Sequence, residues 1–177
     1  PPSLGSPAFR LLTRAHYRSA LLPGVPRALR EEVAAVLPGR DLGDLLVVAT
    51  TQASDLDLVR TGEAVDQEKD VLLESFFEWA RAVAAALAAA GHWCDYIDPC
   101  SGLPMVDRSG HRSVYDEVSA LAALRQYKTS NAGCCKIVLH PRWGSSVYPA
   151  TLFTEAPPEV LAAAVTSAEA ALAGRRG

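Results

Sequence analysis

The clearest pattern of apolar and polar positions in this chain is a long stripe with helical spacing. It predicts a helix from about residue 67 to 90 that packs one face against a sheet. Asp66 is a favourable N-cap, and Gly91 is a favourable residue just beyond the C-terminal end. The predicted apolar stripe consists of Leu73, Phe76, Ala80, Val83, Ala84 and Leu87.

Three other stretches show shorter helical patterns. A helix is predicted to begin at Pro26 and to end before Pro38, and another covers residues 115–127. An alanine-rich helix follows Pro157 and runs toward Gly174. Proline suits the first turn of a helix because its missing N–H would have no partner there.

Stretches rich in β-branched and aromatic residues predict the strands. They cover residues 44–51, 93–97, 134–140 and 147–153. The last two are predicted to pair with each other as a hairpin through residues 141–146. Residues 17–22 are a further candidate strand, for which a helix is nearly as favourable.

This order of elements predicts an α+β fold with a mostly antiparallel sheet flanked by helices. A chain of 177 residues is long enough for one domain with a complete core. We expect residues 1–16 to form an N-terminal extension that is flexible, and residues 17–177 to form a single domain.

Charge and composition argue against several classes of function. The net charge of −3 is unfavourable for a dedicated nucleic-acid binder, which needs concentrated lysine and arginine. No apolar run has the length of a membrane span, so no membrane partner is expected. Four cysteines are too few for a secreted disulfide scaffold, and a reducing compartment with free thiols is expected.

The first thirty residues carry five arginines and no acid. Such a segment is typical of a mitochondrial presequence, but it is also compatible with a basic face of the folded domain, which we favour. We therefore expect a cytoplasmic protein with a possible mitochondrial pool.

The motif Gly133-Cys134-Cys135-Lys136 is the least expected feature of the sequence. Successive side chains of a strand point to opposite faces, so the two cysteines are expected to face different environments. Lys136 falls on the same face as Cys134, where its ammonium group would lower the pKa of the thiol. Cys134 is therefore the candidate reactive thiolate, and Cys135 is the candidate buried apolar residue. The alternative is that both are ordinary buried cysteines.

Other chemistry has weaker support in the sequence. A zinc site could draw on His92, Cys94, Cys100, Cys134, Cys135 and His140. The spacing differs from the usual pairs of ligands two to four residues apart, so zinc is disfavoured. Ser101, His92, His111 and Asp98 could form a hydrolytic triad, but no nucleophile-elbow motif is present, and Asp98 is better explained as a turn residue. No phosphate-binding glycine motif is present, and Trp79 and Trp143 are predicted to be packing residues.

Several blocks, in order, resemble the C-terminal domain of the cobalamin type D (methylmalonic aciduria and homocystinuria type D) family. They are residues 46–52, 68–74, 91–104 and 133–140, continuing through Trp143-Gly144 to residues 152–154. The resemblance extends from about residue 17 to 157, although residues 102–115 and 115–132 depart from the family pattern. If the loop at residues 102–115 forms part of the partner surface, that surface differs from the family's.

The resemblance implies a nitroreductase-like fold without a flavin site and without catalysis of its own. It implies an adaptor that binds the cobalamin type C processing protein and directs cobalamin to methionine synthase or methylmalonyl-CoA mutase. It also implies that Cys134 ligates the cobalt of cobalamin, which is shared with the partner and not tightly bound by this protein alone, with Cys135 and Lys136 in support. A thiolate is a soft ligand and suits cobalt in a corrin.

Two other functions stay open on the sequence alone. One is a flavin-dependent reductase of the nitroreductase fold, and the other is a structural zinc or redox-thiol protein. The oligomeric state is not predicted.

Overall fold

The computed structural model describes residues 25–133 and 135–174. A 3-10 turn at Arg27–Leu29 leads into the first helix. The α-helices of the described part are α1 (Arg30–Val36), α2 (Glu63–Ala89), α3 (Glu117–Arg125) and α4 (Pro158–Gly174). The strands are β1 (Leu46–Ala53), β2 (Cys94–Tyr96), β3 (Lys128–Ala132), β4 (Cys135–Leu139) and β5 (Val147–Thr154). The predicted α+β fold is confirmed.

A three-stranded antiparallel sheet forms the centre of the protein, with strand order β1-β5-β2. The β1 and β5 strands pair over their whole length, from Leu46 opposite Thr154 to Ala53 opposite Val147. A second sheet contains only β3 and β4, which are also antiparallel. The prediction of a mostly antiparallel arrangement is therefore confirmed for the described strands.

Helices cover both faces of the central sheet. Val48 and Leu152 point toward α2 and α4, where they pack with Phe76 and other apolar side chains. Val47 and Phe153 point to the opposite face and pack against residues of α1 and α3. Because both faces are buried, these strands read as continuous apolar runs and lack the alternation of a half-exposed strand.

The long helix α2 agrees with its prediction at its C-terminal end and differs at its start. It begins at Glu63 after Gly62, so the prediction of Asp66 as the N-cap is wrong. Gly91 has a φ of +80°, and its N–H bonds the Ala88 carbonyl while the His92 N–H bonds that of Leu87. This is the Schellman motif, which favours glycine at the left-handed position.

The buried face of α2 lies slightly to one side of the predicted stripe. Phe76, Ala80, Val83 and Leu87 are buried as predicted, whereas Leu73 and Ala84 are only partly buried. Leu72 and Trp79 are buried in addition. The prediction that Trp79 is a packing residue is confirmed.

The predicted hairpin between residues 134–140 and 147–153 is wrong. The β4 strand pairs with β3, and β5 pairs with β1 and β2 in the other sheet. Residues 141–146 do form a tight reversal, closed by reciprocal hydrogen bonds between His140 and Gly144. The reversal redirects the chain from one sheet to the other, because the apolar β5 is more completely buried between two strands than it would be beside β4.

The helix predicted over residues 115–127 is shorter than expected. Asp116 caps it by accepting hydrogen bonds from the N–H groups of Val118 and Ser119. Gln126 ends it with a left-handed φ of +54°, and the chain then enters β3, a strand that the sequence did not predict. All of β3 except Ala132 is exposed, so it lacks the apolar pattern that marks a strand.

Among the helices of the described residues, none combines the length and apolar character needed to cross a bilayer. The predictions for residues 1–16 and for a strand at residues 17–22 fall outside the described part of the chain. The nitroreductase likeness stays a prediction.

Candidate functional site

The candidate site surrounds the turn of the β3–β4 hairpin. The ladder closes at the pair formed by Ala132 and Cys135, so two residues connect the strands. Gly133, the first of them, has a φ of +62°, which the tight turns of two-residue hairpins require. Cys134 lies outside the described residues, and its side-chain position stays a prediction. Its chain neighbours are both at the end of this hairpin.

Cys135 is exposed, so the prediction that it is a buried apolar residue is wrong. The reason is the sheet to which it belongs: the two-stranded β3–β4 sheet leaves Cys135 and Lys136 uncovered, whereas Val138 is buried against the domain. The alternative in which both cysteines are ordinary buried residues fails for Cys135 on the same ground.

Lys136 extends toward the N-terminal turn of α3. Its Nζ lies 3.2 Å from the Ser119 hydroxyl. Partial burial raises the pKa of Asp116, but hydrogen bonds from Ser119 and Val118 and the charge of Lys136 lower it, and the pKa lies below its usual value. The charge of Lys136 therefore also favours the ionised form of Asp116, the residue that caps the helix packed against the hairpin.

Two adjoining cavities open beside this hairpin. The smaller, of about 180 Å³, is lined by Lys136 and Ile137 of β4, and the larger has a volume of about 620 Å³. They share four lining residues, namely Lys69, Val118, Tyr148 and Pro149. A continuous depression therefore runs from β4 to the first turn of α3.

The wall of the larger cavity is built by two loop segments that are held together. The Tyr115 N–H donates to the Gly102 carbonyl at 2.8 Å. Gly102 has a φ of +71°, and a Cβ there would lie 2.9 Å from the Tyr115 carbonyl oxygen and from Val114 Cβ. Only glycine fits this close approach of the two chains.

Glu117 lies at this cavity and is only 7% exposed. The Thr151 hydroxyl donates to its Oε2 at 2.6 Å. Burial raises the pKa of Glu117 to about 8 despite this hydrogen bond, and the negative charges of Asp116 and Glu32 add to the increase. Sequence reasoning missed this residue, since an acid in the first turn of a helix is ordinarily solvated and nothing in the local pattern marks it as buried.

The other cysteines differ in accessibility. Cys94 is buried in the core, and burial followed by the nearby Asp95 charge raises the pKa of its thiol to about 12. A thiol with that pKa is neither a good nucleophile nor a good metal ligand at neutral pH. Cys100 is exposed, with its Sγ 3.8 Å from the Tyr148 hydroxyl at the rim of the larger cavity.

Asp98 and His140, two further sequence candidates, have structural roles. The Asp98 carboxylate accepts the Cys100 N–H at 3.0 Å and the Ser101 hydroxyl at 2.7 Å, which confirms Asp98 as a turn residue. His140 Nδ1 accepts backbone N–H groups from the following turn, and its ring stacks on Trp143 at 3.8 Å. Within residues 25–133 and 135–174, no group of three His, Cys, Asp or Glu side chains is arranged to hold a metal.

Comparison with known proteins confirms the family resemblance. The family described as methylmalonic aciduria and homocystinuria type D protein matches residues 21–166, which is most of the chain. The chain belongs to this family. The match includes the whole β3–β4 hairpin and the Gly133–Lys136 motif.

Proteins named cobalamin trafficking protein CblD are similar to this chain. The human protein is 32% identical over 134 residues, which are 76% of this chain and 45% of that protein. The mouse protein is 30% identical over 131 residues, covering 74% of this chain and 44% of its own length, and the chicken protein is 28% identical over 134 residues, covering 76% and 45%. The chain therefore spans less than half the length of the relatives that it matches.

Proposed function

We propose that this protein is a non-catalytic adaptor in cobalamin trafficking, and that Cys134 ligates the cobalt of cobalamin through its thiolate. The observation that carries the proposal is the place of the Gly133–Lys136 motif at the exposed end of a two-stranded hairpin. Cys135 and Lys136 are both exposed there, so a partner can approach this end of the hairpin. The names of the relatives support the link to cobalamin.

The chemistry of the motif supports the same assignment. A thiolate is a soft ligand that suits cobalt in a corrin, whereas the protonated thiol is not. Lys136 favours the thiolate by its positive charge, and this effect is moderated because the lysine also contacts Ser119 near Asp116. The cobalt–sulfur bond would form only when the partner brings the metal to the hairpin.

In this proposal the cobalamin is held mainly by the cobalamin type C processing protein. The adaptor would contribute the Cys134 thiolate as one ligand and no flavin, and it would direct the cofactor to methionine synthase or methylmalonyl-CoA mutase. A cytoplasmic site of action with a mitochondrial pool fits these two destinations. A ligand supplied from a second protein makes complex formation depend on the state of the cobalt.

The test is the visible spectrum of cobalamin in a mixture of this protein and the processing protein. Wild-type protein should change the cobalt spectrum, and Cys134→Ser should abolish the change because a serine hydroxyl is a poor ligand for this metal. Cys135→Ser and Cys100→Ser are matched controls, since both remove an exposed sulfur, and they should retain the change. A spectrum that is unaltered by Cys134→Ser contradicts the ligand assignment.

The visible spectrum of the purified protein alone distinguishes the adaptor from the flavin-dependent reductase. An adaptor should be colourless when purified alone. A yellow protein whose absorption bleaches on reduction would replace the adaptor proposal with the reductase.

A further inference from the structure

Positive charge is concentrated in the part of the chain that forms the β3–β4 sheet and its connections. Residues 118–154 contain four lysines and arginines and no aspartate or glutamate, although the whole chain has 20 acidic residues and a net charge of −3. Protein surfaces usually intersperse charges of both signs, so this segregation is unusual. The four cations are Arg125, Lys128, Lys136 and Arg142.

These cations lie along the β3–β4 sheet and at its base. Arg125 is the last residue of α3, Lys128 is the first residue of β3, and Arg142 lies in the reversal that follows β4. Lys128, Lys136 and Arg142 are exposed, and none of them forms an ion pair with another residue of the described chain. Their charges are therefore available to a second molecule, apart from the influence of Lys136 on Asp116.

The outer face of this sheet combines positive charge with apolar side chains. Lys128 lies opposite Leu139, and Ser130 lies opposite Ile137, so these four side chains share one face. Val138 points to the other face and is buried against the domain. On the outer face Lys128 and Ser130 are exposed, and the two apolar residues are half-buried. An apolar centre with a polar and charged rim is typical of a protein–protein interface.

We propose that the outer face of the β3–β4 sheet binds an acidic surface of a protein partner. Carboxylates of the partner would pair with Lys128 and Arg142, while its apolar side chains cover Ile137 and Leu139. That the partner is the cobalamin-carrying processing protein rests on the proposed function, since Cys134 belongs to the turn of the same hairpin. Complementary charge raises the rate of encounter and favours the orientation that brings the hairpin end to the cobalt.

The remaining charges of the chain favour a protein over a nucleic acid or an anionic membrane. Residues 25–117 and 155–174 carry all 20 acidic residues and only eight lysines and arginines. A nucleic acid or a bilayer extends well beyond a single hairpin, and these acids would repel it. A folded partner can confine its carboxylates to the contact area and avoid that repulsion.

The first experiment measures the association of the full chain with the cobalamin-loaded processing protein by stopped-flow mixing. Lys128→Glu combined with Arg142→Glu should lower the association rate constant about tenfold at about 20 mM salt, and the difference should vanish at about 0.5 M salt because the charges are then screened. The matched control is Arg108→Glu, an equal charge change at an exposed arginine of the loop after β2. It should change the rate less than about twofold.

Two results of this experiment would overturn the proposed surface. One is an association rate that the double reversal leaves unchanged or raises. The other is an equal decrease in the Arg108→Glu variant, which would show that net charge alone sets the rate. If the double reversal does not fold, Lys128→Gln with Arg142→Gln takes its place, and it should lower the rate about threefold at low salt because it removes the attraction without adding repulsion.

The second experiment uses this protein without the processing protein, so it decides the surface even if the proposed function is wrong. An oligoglutamate peptide should shift the backbone amide signals of residues 128–139 saturably, and the double reversal should abolish these shifts. No saturable shift with the peptide would overturn the surface. Tighter binding of oligothymidylate, or of vesicles of phosphatidylcholine and phosphatidylserine in equal parts, would assign the patch to a nucleic acid or a membrane instead. An unaltered cobalt spectrum with Cys134→Ser, together with the peptide shifts, would refute the thiolate assignment and leave the surface standing.

Discussion

Asp95 is expected to be one of the most sensitive positions for stability. Its carboxylate is completely buried in β2 and accepts four backbone N–H groups. Tyr96, Met105 and Val106 donate to Oδ1 at 2.8, 3.0 and 2.9 Å, and Asp107 donates to Oδ2 at 2.9 Å. One side chain thus holds the loop that follows β2 against the sheet.

The substitution Asp95→Asn keeps the volume and changes one oxygen to an NH₂ group. If that group takes the Oδ2 position, it faces the Asp107 N–H, so one charge-assisted hydrogen bond becomes a contact between two donors. A net hydrogen bond to a charged group contributes about 1.5–3 kcal/mol, and the bonds that remain weaken when the charge is lost. We therefore expect a decrease in the free energy of unfolding of about 2–4 kcal/mol.

The assay is urea unfolding followed by fluorescence, with Asp70→Asn on the exposed face of α2 as the control. The control should change the free energy of unfolding by less than about 0.5 kcal/mol. Hydrogen exchange should also become faster at residues 105–107 in the Asp95 variant. A loss below about 1 kcal/mol with an unchanged denaturant slope would refute the reasoning, because it would show that the asparagine amide replaces the carboxylate at little cost.

Three further predictions concern Glu117, Gly91 and Cys94. Because burial raises the pKa of Glu117 from 4.5 to about 8, the folded state holds a proton between these values that the unfolded state has lost. The stabilisation from this bound proton is complete below pH 4.5 and falls by about 1.4 kcal/mol per pH unit until pH passes 8. Glu117→Gln should flatten this decline in a series of urea titrations, and an equal slope in both proteins would contradict it. Gly91→Ala should cost about 1 kcal/mol by thermal unfolding because φ is +80° with no atom within 4 Å of the added Cβ, and Gly91→Asn should cost less; equal losses would show that backbone strain is not the cause. Pulsed alkylation followed by mass spectrometry should modify Cys100 in the folded protein and Cys94 only after unfolding, since Cys94 is buried with a pKa near 12; rapid native modification of Cys94 would disagree with its burial.

The local sequence predicted those features whose causes lie within a few residues. The α2 helix follows from a repeated apolar spacing, and its C-terminal end follows from the conformational freedom of Gly91. The Asp98 turn and the buried β1 strand are of the same kind. The motif Gly133–Lys136 could be selected from the sequence because its residue types are unusual together, and it lies within the residues that the family matches.

Tertiary structure alone decided the strand partners and the burial of polar groups. The β5 strand pairs with β1, about a hundred residues away, and not with its neighbour β4, because pairing there buries both of its faces. Cys135 is exposed and Glu117 is buried for a related reason, since each depends on which distant element covers it. Local periodicity specifies the conformation of a segment, whereas the solvent exposure of a side chain depends on contacts between segments far apart in the chain. The candidate thiolate could therefore be named from the sequence, and the buried carboxyl group of Glu117 could not.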